Sequence, residues 1–205
     1  MSNRFAIANV TAALRLLLGR HLADIVPGAQ VSTVRPNLLG TDQLARGVNL
    51  FLYMVSPNPG FQNDRVPTRR ADGTLQAVPQ IALNLHYVFT FFGDETKLES
   101  QLLLGATMAA LRQQPVLTPA LIRDTIRASS SPDLTGSDLA EQRPLVTITP
   151  TPLDAELLSR IWSVFYQIPY SISAVFQCGP VLIDSDVVAT PSPPVKEIGG
   201  EVGPG

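Results

Sequence analysis

The stretch QIALNLHYVFTFF, residues 80–92, alternates with a period of two along its whole length. Ile81, Leu83, Leu85, Tyr87, Phe89 and Phe91 fall on one side, and Ala82, Asn84, His86, Val88 and Thr90 on the other. Successive side chains of a strand point to opposite faces, so this pattern predicts a long strand whose aromatic face lies on helices. Upstream, GVNLFLYMVS (residues 47–56) is rich in β-formers and carries large apolar groups on both sides. It predicts a strand covered on both faces that pairs antiparallel with residues 80–92 as a long hairpin.

Helical patterns surround this hairpin. From Arg4 to Ala23, Ile7, Val10, Leu14, Leu17 and Leu18 recur at helical spacing, and Pro27-Gly28 ends the segment. A short strand is expected over residues 30–35, stopped by Pro36. After Gly93-Asp94, Thr96-Lys97-Leu98-Glu99 has capping-box spacing and predicts a helix to Gln114. Its apolar residues form two rows: Leu98, Leu102, Ala106 and Ala109, and Leu104, Met108 and Leu111. Thr118-Pro119 opens a helix to about Ala128, with threonine as cap and proline at the first helical position. A polar loop over 129–144, a strand at 145–149, a helix from Thr151-Pro152 to about Tyr166 and a last strand or strand pair over 169–183 complete the domain, with Gly179-Pro180 as a bend or bulge. The fold class expected is α/β of the α+β kind: a mixed, mainly antiparallel sheet packed by helices.

Two segments fall outside this regularity. Residues 57–79 contain Pro57, Pro59, Pro67 and Pro79 and the hairpin-turn pair Asp72-Gly73, and read as a long hairpin or loop excursion. Residues 186–205 hold four prolines and four glycines in the last fifteen positions and read as an extended tail on a single domain spanning 1–185.

Composition narrows the function. Hydrophobic residues make up 45% of the 205 and charged residues 16%, a low charged fraction that fits a filled core or apolar surface covered by a partner. The net charge of −2 lacks the basic excess of a duplex nucleic-acid binder. Cys178 stands alone in an apolar run, so an intrachain disulfide is ruled out and a small buried hydrophobe is expected. Arg15 and Arg20 interrupt the first apolar stretch, which is not expected to act as a signal peptide. No segment approaches the ~20 apolar residues of a membrane helix, so direct membrane insertion is not expected.

A search for chemistry returns little. Phosphate-cradling, dinucleotide and nucleophile-elbow motifs are missing, as is metal-ligand spacing, so neither cofactor nor metal is expected. Of two histidines, His21 lies at a helix end. His86 could enter a Ser-His-Asp arrangement only with Asp94 or Asp184, which also read as a helix-start acid and a strand exit beside Asp186. The candidates that remain are protein contacts: Arg65, Arg69 and Arg70 in the excursion, suited to carboxylates of an acidic partner, and Trp162 on the outer side of a helical stripe.

Three segments together carry a family resemblance: LNLHYVFTFFGD (83–94), LESQLLLGATMAALRQQPVLT (98–118) and LLSRIWSVFYQIPYSISAVFQCGPVLID (157–184). In order and spacing, with the first helix, they resemble the N-terminal domain of the cap, or tail-terminator, protein of phage-tail-like contractile injection systems. The resemblance covers roughly residues 4–185; the proline-rich stretch after Ile183 shows no clear counterpart. It implies a non-enzymatic subunit of a homohexameric ring that ends the inner tube and anchors the last sheath ring. Sheath and inner-tube proteins are its implied partners. The implied location is the cytoplasm during assembly, then a particle either released or held at a membrane. A baseplate or adaptor module of the same machine, and a small hydrolase, are the alternative readings.

Overall fold

The computed structural model describes residues 4–36, 46–61, 80–129, 134–164 and 170–184. Five strands form one sheet: β1 (Gln30–Ser32), β2 (Gly47–Pro57), β3 (Gln80–Phe92), β4 (Thr147–Thr151) and β5 (Ser173–Asp184), in the order β1-β2-β3-β5-β4. β1 runs parallel to β2 and every other pair is antiparallel. The sheet is therefore mixed and mainly antiparallel, with the β2–β3 pairing expected from the sequence. Helices α1 (Ala6–Leu22), α2 (Glu99–Gln113) and α3 (Pro119–Ala128) cover one face. Helix α4 (Ala155–Val164) lies over the other.

The period-two alternation of β3 places the core. Leu85, Tyr87, Phe89 and Phe91 are buried against Val10, Leu14, Leu17 and Leu18 of α1 and Leu103 of α2. Phe89 stacks on Phe176 of β5 with ring centroids 4.5 Å apart. The Tyr87 hydroxyl meets Thr11 Oγ1 at 2.8 Å, so the one polar atom of that aromatic row has a partner inside the core. Val88, on the opposite side, packs with Val175 and with Ile161 of α4.

Several local expectations change. β2 is fully buried only over Gly47–Leu50; Met54 and Val55 are exposed. Ile81 is likewise half exposed, so the aromatic face of β3 is buried from Leu85 onward and not at its start. At the start of α2 the cap is not Thr96. Asp94 Oδ1 accepts from Thr96 N at 2.9 Å around a 3₁₀ turn, Leu98 takes a left-handed φ of 56°, and the helix begins at Glu99. Glu99 does turn back, but to the backbone N–H of Asp94, 2.9 Å away, and to Arg46 Nε at 3.0 Å. That rotation buries Leu103, Thr107, Ala110 and Leu111 and leaves Leu98, Leu102 and Met108 exposed, so neither predicted row is the buried one.

Other predictions hold locally. Thr118 Oγ1 accepts from Leu121 N at 3.3 Å and Pro119 opens α3. β5 is a single strand, and the pairing register slips opposite Gly179-Pro180, between Leu83 and Leu85. The polar loop before β4 is anchored by Gln142. Its Nε2 donates to the carbonyls of Pro144 (2.8 Å) and Pro180 (2.9 Å), and its Oε1 accepts from Leu182 N (2.8 Å).

Candidate assembly surfaces

Among the described residues, the exposed apolar side chains include three sets that bear on assembly. The first is on α4. Leu153, just before this helix, and its Leu157 and Ile161 pack toward the sheet, which leaves Trp162 at its margin, half-buried against the Val88–Val175 cluster. The Trp162 ring lies 5.3 Å from that of Tyr170, whose side chain is 61% exposed. A tryptophan fixed by core contacts on one side and by an exposed tyrosine on the other is the rigid aromatic anchor that protein interfaces favour. Trp162 was the sequence candidate here; Tyr170 was missed as a contact because residues 163–169 separate the two.

The second surface is the outer row of α2. Leu98 and Leu102 are each 53% exposed, and Met108 is exposed beyond them. Gly105 lies between, and a β-carbon added there would meet nothing within 4 Å. An exposed glycine inside a helix costs stability without serving the packing of this chain. Leu98 adds strain to exposure, since a branched side chain rarely adopts left-handed backbone.

The third surface is the margin of the sheet where β2 ends and β3 begins. Met54 and Val55, opposite His86 and Leu85, are exposed on β2, and Ile81, further along β3 toward its start, is half exposed. Arg65, Arg69 and Arg70 belong to the excursion between these strands and lie outside the described residues.

The charged side chains of the helical layer largely pair with one another. Arg20 meets Asp124 at 3.1 Å, Arg123 meets Glu141 at 2.6 Å and Lys97 meets Asp94 at 3.2 Å. The Thr96 hydroxyl, then Lys97, hold the Asp94 carboxyl down at about 2, so it is an ionised cap.

The groups with chemical potential are dispersed. His86 Nε2 lies 2.8 Å from Ser56 Oγ on β2, a contact unseen in sequence because it crosses the hairpin diagonally. Neither aspartate joins them. Asp184 pairs with Gln80, six residues from His86 along β3 and roughly 20 Å away at ~3.3 Å per residue, and Asp94 lies beyond the opposite end of the strand. Asp186 is outside the described residues. Cys178 is fully buried, which pushes its thiol pKa up and keeps it protonated, a core side chain as expected. Among the described residues no three His, Cys, Asp or Glu side chains gather as a metal site, and no helix is long and apolar enough to cross a membrane.

Comparison with known proteins matches this picture. A sequence model of the family described as Pvc16 N-terminal domain matches residues 9–197, continuing past Ile183 into the proline-rich stretch. The fold is similar to the sheath/tube terminator, in its extended state, of the extracellular contractile injection system PVC. The TM-score is 0.58 at 14% identity, covering 97% of this chain and 64% of that one. It is also similar to the tube-terminating cap of the anti-feeding prophage, with a TM-score of 0.54 at 16% identity, covering 91% of this chain and 59% of that one. The chain thus spans about three fifths of the length of the structures it matches. A search of curated proteins gave no match.

Proposed function

Because the chain belongs to the Pvc16 N-terminal domain family, we propose that it is a structural cap subunit, the tail terminator of a contractile injection system. In this reading copies of the chain close into a hexameric ring that ends the inner tube and anchors the last sheath ring. The observation that carries it is the match of nearly the whole chain, in fold, to two proteins that terminate such tubes. The dispersed chemistry and the three apolar surfaces support a role in assembly over one in catalysis.

A closing ring needs two different surfaces on each subunit, one meeting the other on the next copy. The α2 row and the Trp162–Tyr170 pair supply apolar contact on opposite layers of the sheet, and sheath and tube proteins are the remaining partners. Arg65, Arg69 and Arg70 suit an acidic surface among these partners. Assembly takes place in the cytoplasm, and the finished particle is released or held at a membrane by other components.

Imaging particles that carry an epitope-tagged chain tests the proposal. Label at the end opposite the baseplate, with tubes of uncontrolled length when the chain is omitted, is the expected result. Label at the baseplate overturns it in favour of an adaptor role.

A further inference from the structure

The outer face of α2 carries no charge over most of its length. Leu98, Gln101, Leu102, Gly105, Met108 and Ala109 are exposed along it, Glu99 is buried, and the first charged side chain after them to reach solvent is Arg112 in the last turn. Roughly three turns of exposed helix without a charge suit an apolar partner. Gly105 lies at the middle of that face with open space where a side chain would stand, so Leu102 and Met108 flank a shallow notch.

A second copy carries a group that fits it. The Tyr170 side chain is more than half exposed, and the Trp162 ring of α4 supports it from behind. α4 and α2 lie on opposite faces of the sheet, so the two surfaces of one molecule face apart. A contact between surfaces that face apart passes from copy to copy in one direction, as a ring requires; surfaces that face the same way close instead as a two-fold pair.

Charge selects the same mate. Pairing α2 with α2 would set Arg112 against Arg112 if the helices ran parallel, and beside the Lys97-Leu98 turn if they ran antiparallel about Gly105. Laid antiparallel on α4 with Gly105 opposite Trp162, α2 places Arg112 ~10.5 Å along its axis, level with Glu156, ~9 Å along α4. Glu156 is exposed, and Arg160 takes only its Oε1, which leaves Oε2 for a second arginine. The contact is a handful of side chains per copy against the ~20–30 of a stable interface. It is too small to hold two free chains together, but in a closed ring every copy makes it twice.

We propose that Tyr170 of one copy seats in the Gly105 notch of α2 in the next, with α2 and α4 antiparallel and Arg112 meeting Glu156. This deepens the cap reading: it rests on that reading for the ring and names the contact that joins its members.

Particles assembled with tagged full-length chains are scored for tag per particle, whichever end it occupies. Arg112→Glu and Glu156→Arg, both at exposed sites, should each lower incorporation severalfold, and the two together in one chain should restore it to near the unmodified level. The double variant inherits both changes to the helix ends, so its recovery reports the contact and not the fold. Full incorporation of both single variants, or a double variant as poor as the singles, overturns the proposal. Oxidation of particles that carry Gly105→Cys and Tyr170→Cys on separately tagged chains gives a second reading; the native Cys178 is buried and does not compete. The expected result is a disulfide joining the two tags. No such bond, a bond of Gly105→Cys to its own kind, or an equal yield with Ile81→Cys in place of Tyr170→Cys overturns the proposal. Label confined to the baseplate, with the charge rescue intact, would sink the cap reading and leave the contact standing.

Discussion

Ser56 on β2 and His86 on β3 share a hydrogen bond, Oγ to Nε2 at 2.8 Å, and the imidazole and the Tyr53 ring meet in a T-shaped arrangement with centroids 6.2 Å apart. Gln177 pairs with His86 from β5, so its cross-strand neighbours there are neutral. Burial lowers the His86 pKa below the ordinary 6.5. The unfolded chain therefore takes up a proton near 6.5 while the folded chain takes it up only at lower pH. Stability is full above the unfolded value and falls as pH drops below it toward the folded one. Melting temperature measured across pH 5 to 8 should decline on the acid side, and His86→Gln, which keeps a neutral partner for Ser56, should flatten that limb. An identical decline in the variant would assign the pH response to other groups.

Gln142 joins three backbone groups that no strand ladder satisfies: the carbonyls of Pro144 and Pro180 and the N–H of Leu182. Its side chain is almost fully buried. Truncation leaves those groups without partner or solvent, so Gln142→Ala should cost about 2–4 kcal/mol. Gln142→Glu should cost a similar amount, because a carboxylate cannot donate to the two carbonyls. Urea unfolding measures both, and a loss under about 1 kcal/mol would mean that water replaces the amide.

Two glycines should respond in opposite directions. Gly47 has φ +140°, and a β-carbon there would sit 1.9 Å from the Gln30 carbonyl oxygen across the parallel β1–β2 pair. Gly47→Ala should cost at least ~2 kcal/mol and detach β1. Gly105 is exposed on α2 with open space around it, so Gly105→Ala should stabilise the isolated chain by about 0.5–1 kcal/mol. Thermal unfolding of the two variants side by side checks the contrast.

The strands were legible because each carries its own periodicity. The alternation of β3 names its buried face from Leu85 to Phe91, and the β2–β3 pairing follows from adjacency. Where the reading failed, the deciding atoms were remote in sequence. At the start of α2 the Asp94 cap and the left-handed Leu98 shift the helix by three residues, and Glu99 also pairs with Arg46, a partner no local capping rule contains. Gln142 looked like loop polarity because Pro180, its acceptor, lies 38 residues away. The exposure of Met54 depends on how far the helical layers extend over β2, and β propensity is silent on that. Trp162 was legible as an anchor by residue type alone, whereas Tyr170 needed the fold to bring it alongside.

The outer row of α2 separates stability from assembly. Leu98 holds left-handed backbone with a side chain more than half exposed, and Leu102 is equally exposed one turn on. Left-handed backbone costs a branched residue roughly 1–2 kcal/mol, and glycine largely escapes that cost. Leu98→Gly should therefore raise the stability of the isolated chain by up to about 1 kcal/mol. Leu102→Gln exchanges two good helix formers at an exposed site and should change it by less than ~0.5 kcal/mol. If this row meets another subunit, both variants lose apolar contact where it matters, and the share of particles carrying the tagged chain should fall severalfold although the chain itself is as stable or more so. Counting labelled ends by electron microscopy, alongside melting curves of the same preparations, reads both quantities. Full labelling by a Leu98→Gly, Leu102→Gln double variant would remove α2 from the interface and leave the Trp162–Tyr170 side of the sheet to bear it.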